Sequence, residues 1–274
     1  MSHARAVQDL FIYPVKSCQG QNVSTLTVQA DGPVGDRQWM LIDDKGVFLS
    51  QRTLPKMATV QVLLNEQGLN LGLGKQFFVA PANSAFKRPV SVNVWGEEFQ
   101  AALEPDLFSQ AISEYLGVSC RLVRYAPFSK RYAPRAQTSA GEGSGEWAPE
   151  VKFADSRPVS LLNTKSLEDL NARLEHKVGM ERFRGNIIFA GEAPFEEDGW
   201  TRIRIGDVVF AQPKACTRCK IITIDQATGL SDGAEPLKTL STYRRDGTKV
   251  KFGVLWIPEN AGTIKRGDSV EVLC

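Results

Sequence analysis

The sequence predicts a mainly β protein, a β-barrel architecture in two lobes with few helices. Three observations carry this. Apolar runs are short and close at glycine or proline, hairpin signatures recur between them, and helical periodicity appears in only three segments. Strands at such spacing, separated by turn residues, point to a barrel or sandwich.

The strand signals follow in chain order. Leu10-Phe11-Ile12-Tyr13 ends at Pro14, which has no N–H to give a β-ladder. Gln38 to Ile42 and Val47 to Leu49 flank Asp43-Asp44-Lys45-Gly46, a hairpin turn. Val60 to Leu64 and Leu69 to Leu71 flank Glu66-Gln67-Gly68. Val90 to Trp95 alternates apolar with polar and turns at Gly96 into Glu97 to Ala101. Near the other end, Ile203 to Val209 is broken at Gly206-Asp207, and Gly262 to Val272 at Arg266-Gly267-Asp268. Ile221-Ile222-Thr223-Ile224 also reads as a strand.

Helices are expected at three places. Asp106 to Leu116 places Leu107, Ala111, Ile112 and Tyr115 on one face, with Gly117 as the stop. Ser166 to Leu174 has Ser166 as the expected N-cap. Pro236 to Arg245 opens on a proline suited to a first helical turn. Between Arg135 and Trp147 large apolar residues give out, which reads as a mobile loop or linker.

Composition narrows the function classes. With 42% apolar and 23% charged residues, the 274-residue chain is ordinary globular protein. A net charge of +2 points neither to nucleic acid nor to a membrane surface. No apolar run approaches the roughly 18 residues that span a bilayer. Met1 to Asp9 has no apolar signal core. Five scattered cysteines, an odd count, read as reduced thiols in a cytoplasm.

Chemistry concentrates at Ala215-Cys216-Thr217-Arg218-Cys219-Lys220. Two thiols lie among Lys214, Arg218 and Lys220, and neighbouring cations lower a cysteine pKa toward the thiolate, the nucleophilic and metal-binding form. A C-x-x-C alone admits a zinc half-site, a redox dithiol, a cofactor ligand or plain buried thiols. Zinc is the weakest of these, because a structural site wants about four Cys or His ligands. Cys18, Cys120 and Cys274 are dispersed, and the histidines are His3 and His176. A thioredoxin-like dithiol would open a helix, whereas both flanks here read as strands.

Three further clusters could bind anions. Lys16 and Ser17 follow a strand end, offering a point charge and a hydroxyl that suit a phosphate; the plain alternative is a solvated lysine beside a turn serine. Arg37, after Gly35-Asp36, is either an inward bidentate clamp or half of a surface pair contributing about 0–1 kcal/mol. In Phe183-Arg184-Gly185-Asn186, Gly185 lets backbone approach a ligand and Asn186 offers donor and acceptor; otherwise Arg184 is a solvated residue at a strand start.

In order and spacing these motifs resemble the MOSC family, the molybdenum cofactor sulfurase C-terminal domain proteins. The similarity is to the branch with an added N-terminal β-barrel domain, which includes the mitochondrial amidoxime reducing component and bacterial proteins that detoxify N-hydroxylated bases. Beyond the clusters above, it runs through Phe153-Ala154-Asp155, Leu167 to Asn171 and Glu259 to Ile264, nearly the whole chain.

The resemblance implies an N-terminal barrel domain over 1–120 and a MOSC domain over 121–274, with the N-terminal segment free to cross back to the site. It implies a molybdenum cofactor of the molybdopterin type. Cys219 would be the catalytic thiolate and metal ligand, held rigid by a following strand, with Cys216 tuning it from a freer loop. Lys16, Ser17, Arg37, Arg184, Asn186, Thr217 and Arg218 would bind the cofactor.

The reaction it implies is reduction of a small N-hydroxylated substrate. No ferredoxin-type cysteine run is present, so electrons are expected from a separate ferredoxin- or flavin-type donor. The rival readings keep the same fold: a sulfur carrier with a persulfide on Cys219, or a cofactor carrier without turnover.

Overall fold

The computed structural model describes residues 5–81, 86, 88–132, 149–231 and 233–273. The expected loop from Arg135 to Trp147 lies outside the described residues, as do His3 and Cys274. Strands dominate, as the sequence pattern predicts.

The largest sheet has nine strands. Its path runs Val270–Val272, Ile203–Ile205, Val208–Arg218, Lys249–Pro258, Val159–Asn163, Ile187–Ala190, Ala6–Ile12, Gln21–Val23, with Arg245–Asp246 beside Lys249–Pro258. Side chains alternate across a strand, so neighbours serve different cores. Leu161, Ile187 and Phe189 pack with Val7, Phe210 and Trp256. Leu162 and Ile188 pack on the other face with Leu170, Phe183 and Phe252.

One irregularity in this sheet shapes the site. Ala215 pairs with Val254, and Thr217 with Lys251. Cys216 therefore stands opposite two residues, Phe252 and Gly253, which is a β-bulge. Gly253 has φ +75, and a Cβ there would lie 2.3 Å from Leu162 Cδ2 and 2.8 Å from the Leu161 carbonyl oxygen. The bulge flips the strand's facing, so that Phe252 and Val254 sit in different cores.

The first half of the chain builds two smaller sheets. Trp39–Ile42, Arg121–Arg124, Glu97–Leu103 and Pro89–Val94 form one, in that order, and Gln61–Asn65, Gly68–Leu73 and Gln76–Pro81 form a meander. Helix Asp106–Leu116 ends as expected at Gly117, whose φ is +77. Its buried face differs from the expected one: Phe108, Ala111, Ile112 and Leu116 are inside, whereas Leu107 is exposed. A stripe shifted by one residue fits the same apolar spacing, and the meander beneath selects it.

The second helix starts earlier than its sequence suggests. It spans Thr164–Asn171, and Asn163 is the N-cap, its side chain accepting from Lys165 N at 2.8 Å. Ser166 is buried instead, accepting from Phe195 N at 2.8 Å. The third helix, Leu237–Tyr243, follows Pro236. Among the described residues no helix is long and apolar enough to cross a membrane.

The N-terminal segment ties the sheets together. Ala6–Ile12 pairs with Ile187–Ala190 in the large sheet. A few residues later, Val15 bridges Trp39 in the smaller one. Tyr13 to Ser17 thus crosses from one sheet to the other, and the cavity described next opens at that crossing.

Candidate functional site

The two thiols sit in unlike backbones. Cys216 lies within strand Val208–Arg218, opposite the bulge. Cys219 lies just past the strand end, capping the short 3-10 turn Lys220–Thr223. The expected strand over Ile221 to Ile224 is therefore a correction: Ile222 N bonds to Cys219 O at 3.2 Å, and Ile224 N to Ile221 O at 3.1 Å. Apolar runs this short do not distinguish a buried turn from a strand. The rigidity argument reverses with it, since the ladder fixes Cys216. The expected lowering of the Cys216 pKa also fails, because burial pushes this thiol up against the pull of Arg218.

Both cysteines line one cavity of about 390 Å³. Lys16, Ser17, Arg37, Arg184, Asn186, Thr217 and Arg218, all expected from sequence, line it too. Among the described residues its wall carries eight Lys and Arg side chains and a single carboxylate, Asp155. Such a wall is a strong field for an anion.

Several of these groups are already held by protein. Lys16 Nζ donates to the Phe153 carbonyl at 2.7 Å and to Asp155. Burial pushes the Lys16 pKa down, against Asp155. Although its own burial works the other way, Asp155 is held well below the usual carboxylate range by Lys16 and the Trp95 N–H.

Arg37 points inward, yet its Nη1 is spent on both oxygens of buried Asp36, at 2.8 and 2.6 Å. The tight inward pair matches neither sequence alternative. Asn186 donates to Asp36 at 3.0 Å and to Phe11 O at 3.1 Å, and accepts from Ser160 Oγ at 2.9 Å. It braces the wall. Arg218 donates through Nε, Nη1 and Nη2 to the carbonyls of Phe252 and Phe183.

Tyr13 organises two of the cations. Its buried ring lies between the guanidinium groups of Arg37, at 4.5 Å, and Arg184, at 4.4 Å. Cations over a ring face are attracted by its quadrupole, more so when desolvated. Both arginines adopt left-handed backbone, with φ 45 and φ 54.

Sequence reasoning missed Arg52, Trp95 and Arg157, and left Asp155 without a role. Arg52 Nε donates to Cys219 Sγ at 3.2 Å. Trp95 stands on the cavity wall at a hairpin tip, and a tryptophan before glycine in a turn was the available signal. Arg157 is 8% exposed, and its buried Nε has no hydrogen-bond partner. Burial alone pushes its pKa down. An arginine in Ser156-Arg157-Pro158 carries no sequence signal.

Among the described residues no group of three or more His, Cys, Asp or Glu could hold a metal ion. A metal in this cavity would need most of its ligands from a bound group. Residues 4–119 match the MOSC N-terminal beta barrel domain and residues 148–271 match the MOSC domain.

The chain belongs to the MOSC family.

MOSC relatives align over almost its whole length. The mitochondrial amidoxime-reducing component 1 of Mus musculus is 33% identical over 97% of this chain and 82% of its own. The human counterpart is 32% identical with the same coverage. A molybdenum cofactor sulfurase of Oryza sativa is 30% identical over 93% of this chain, which spans only 33% of that longer protein. The MOSC and N-terminal barrel matches each contribute to the cavity wall, for example Arg218 from one and Arg37 from the other.

Proposed function

We propose that this protein holds a molybdenum cofactor of the molybdopterin type. In this reading it reduces N-hydroxylated compounds to amines or amidines with electrons from a separate ferredoxin- or flavin-type donor. The observation that carries the reading is Cys219 on the wall of a cavity with eight cationic side chains and one carboxylate. The names of the mouse and human relatives support the reaction.

The donor set suits such a group. A soft thiolate favours a soft metal centre, and a cationic wall suits a phosphate and an electron-rich ligand. The orphaned guanidinium of Arg157 is the cation most in want of an anion. When bound, the cofactor supplies two-electron redox chemistry, and the protein supplies binding and electrostatics.

Each residue then has a task. Cys219 would ligate the metal. Arg184, stacked on Tyr13, and Arg157 would hold anionic parts of the cofactor, with the hydroxyls of Ser17 and Thr217 donating to it. Lys16, Arg37, Asn186 and Arg218, already bonded to protein, would fix the shape and charge of the seat. Free thiols at Cys18, Cys120, Cys216 and Cys219 accord with a cytoplasmic location.

The test is metal and pterin analysis of gently purified protein, followed by reduction of a simple aryl amidoxime with an artificial electron donor. Molybdenum, a released pterin and amidine product are expected. Persulfide on Cys219 without molybdenum would instead establish sulfur transfer, the activity named in the rice relative.

A further inference from the structure

The wall opposite the thiols holds a conformation that its sequence does not favour. Val94 pairs with Glu97 across the two-residue turn Trp95-Gly96. Both turn residues have positive φ, 58 for Trp95 and 89 for Gly96, the pattern of a type I′ turn. Asparagine, aspartate or glycine is the usual first residue of such a turn. A bulky side chain there costs on the order of 1–3 kcal/mol, and such strain is retained where surrounding contacts over-determine it.

Those contacts are present. The indole N–H donates to Asp155 Oδ1 at 3.0 Å, and Asp155 is itself fixed by Lys16. Phe48 meets the indole edge-on, with ring centroids 4.7 Å apart. The Arg52 guanidinium lies over the ring at 4.3 Å. Stacked there, Arg52 presents its Nε–H to the Cys219 sulfur at 3.2 Å. The line Lys16, Asp155, Trp95, Arg52, Cys219 joins four separate segments of chain.

We propose that Arg52 conditions the Cys219 sulfur by a charged hydrogen bond that sets the reduction potential of the metal bound there, and that Trp95 is the positioning residue that aims Arg52. The inference rests on the reading of Cys219 as the ligand. A cationic donor draws electron density from a thiolate, so the sulfur gives less to the metal and the metal is more easily reduced. Groups that bond to a ligand atom tune the metal in this way. The planar guanidinium stacks and donates at once, which an ammonium cannot do.

The experiment is a redox titration of the cofactor-loaded full chain, followed by electron paramagnetic resonance of the metal. Arg52→Met should shift the midpoint potential to more negative values and alter the metal signal. Arg52→Lys, which keeps charge without the stack, should fall between it and the wild type.

Trp95→Asn should shift the potential the same way by a smaller amount. Its melting temperature should be unchanged or raised, because asparagine accepts the left-handed turn. If Arg52→Met folds poorly, Trp95→Asn therefore still decides the matter. Wild-type potentials in Arg52→Met and Trp95→Asn overturn the inference. Cys219→Ser separates it from the reading beneath: a wild-type metal signal in that variant would remove Cys219 as ligand, and the inference with it. A changed signal there, with no shift in the Arg52 and Trp95 variants, would sink the inference alone.

Discussion

The Arg218 guanidinium closes on the Phe252 carbonyl oxygen, with Nε at 2.8 Å and Nη2 at 2.7 Å. That carbonyl is available because Phe252 and Gly253 form the bulge opposite Cys216. A buried carbonyl left without a donor costs about 1–3 kcal/mol, so bulge and arginine are complementary.

Gly253→Ala tests the bulge. The added methyl would meet Leu162 and the Leu161 carbonyl in a backbone region that L-residues avoid. The expected loss is roughly 2–4 kcal/mol in a urea melt. Cofactor retention should fall with it, as the strand carrying Cys216 shifts. A variant as stable as wild type would show that the strand can pair without the bulge.

The two thiols should differ in function. Cys219→Ser should abolish reduction of an aryl amidoxime by the loaded protein, because it removes the proposed ligand. Cys216→Ser should leave measurable activity. Turnover rates for the two variants, each normalised to bound molybdenum, decide the assignment. Activity that depends on Cys216 alone would transfer the ligand role to it.

Arg157 should oppose stability and favour binding. An unpaired buried charge destabilises the protein that carries it. Arg157→Met should therefore raise the stability of cofactor-free protein, by roughly 1 kcal/mol. The same variant should lose the thermal stabilisation that inorganic pyrophosphate gives the wild type. Equal melting curves for the two proteins, with and without pyrophosphate, would count against Arg157 as an anion seat.

Glu197 gives a pH dependence. Burial pushes this carboxyl up to about 7, with Asn163 pulling the other way. Between its unfolded value of 4.5 and about 7, the folded state binds more protons than the unfolded one. Stability is then fully present below the unfolded value and is lost as pH rises through the folded one. Glu197→Gln, which keeps the Asn163 contact, removes this loss. Its advantage over wild type should grow from near zero at acid pH to on the order of 3 kcal/mol at pH 8. A pH-independent difference in urea melts would argue that Glu197 titrates normally.

The cavity-lining residues near recurring motifs were legible in the sequence, because Lys16, Arg37, Arg184 and Cys219 sit at strand ends beside Pro, Gly or a second Cys. Their partners were not. Nothing local announces that Asp36 satisfies Arg37, Asn186 and Tyr13 N together, or that Arg52 reaches Cys219 across 167 residues of sequence. The turn at Lys220–Thr223 was misread because its isoleucines suit a strand as well as a buried bend. The cap at Asn163 was missed because Ser166, three residues on, also looks like a cap until Glu197 and Phe195 claim it.

The pairing of Ala6–Ile12 with Ile187–Ala190 has a consequence for synthesis. On the ribosome the first strand emerges with one neighbour close behind it, Gln21–Val23. Its other edge, with Val7 and Leu10 destined for the core, must await a partner about 175 residues downstream, on the order of 10 to 35 seconds at ordinary elongation rates. Throughout that interval the nascent chain displays an apolar strand edge, the form of surface that invites pairing with a stranger. Lys16 and Ser17 hang from that waiting strand, so the cavity is among the last parts of the molecule to exist.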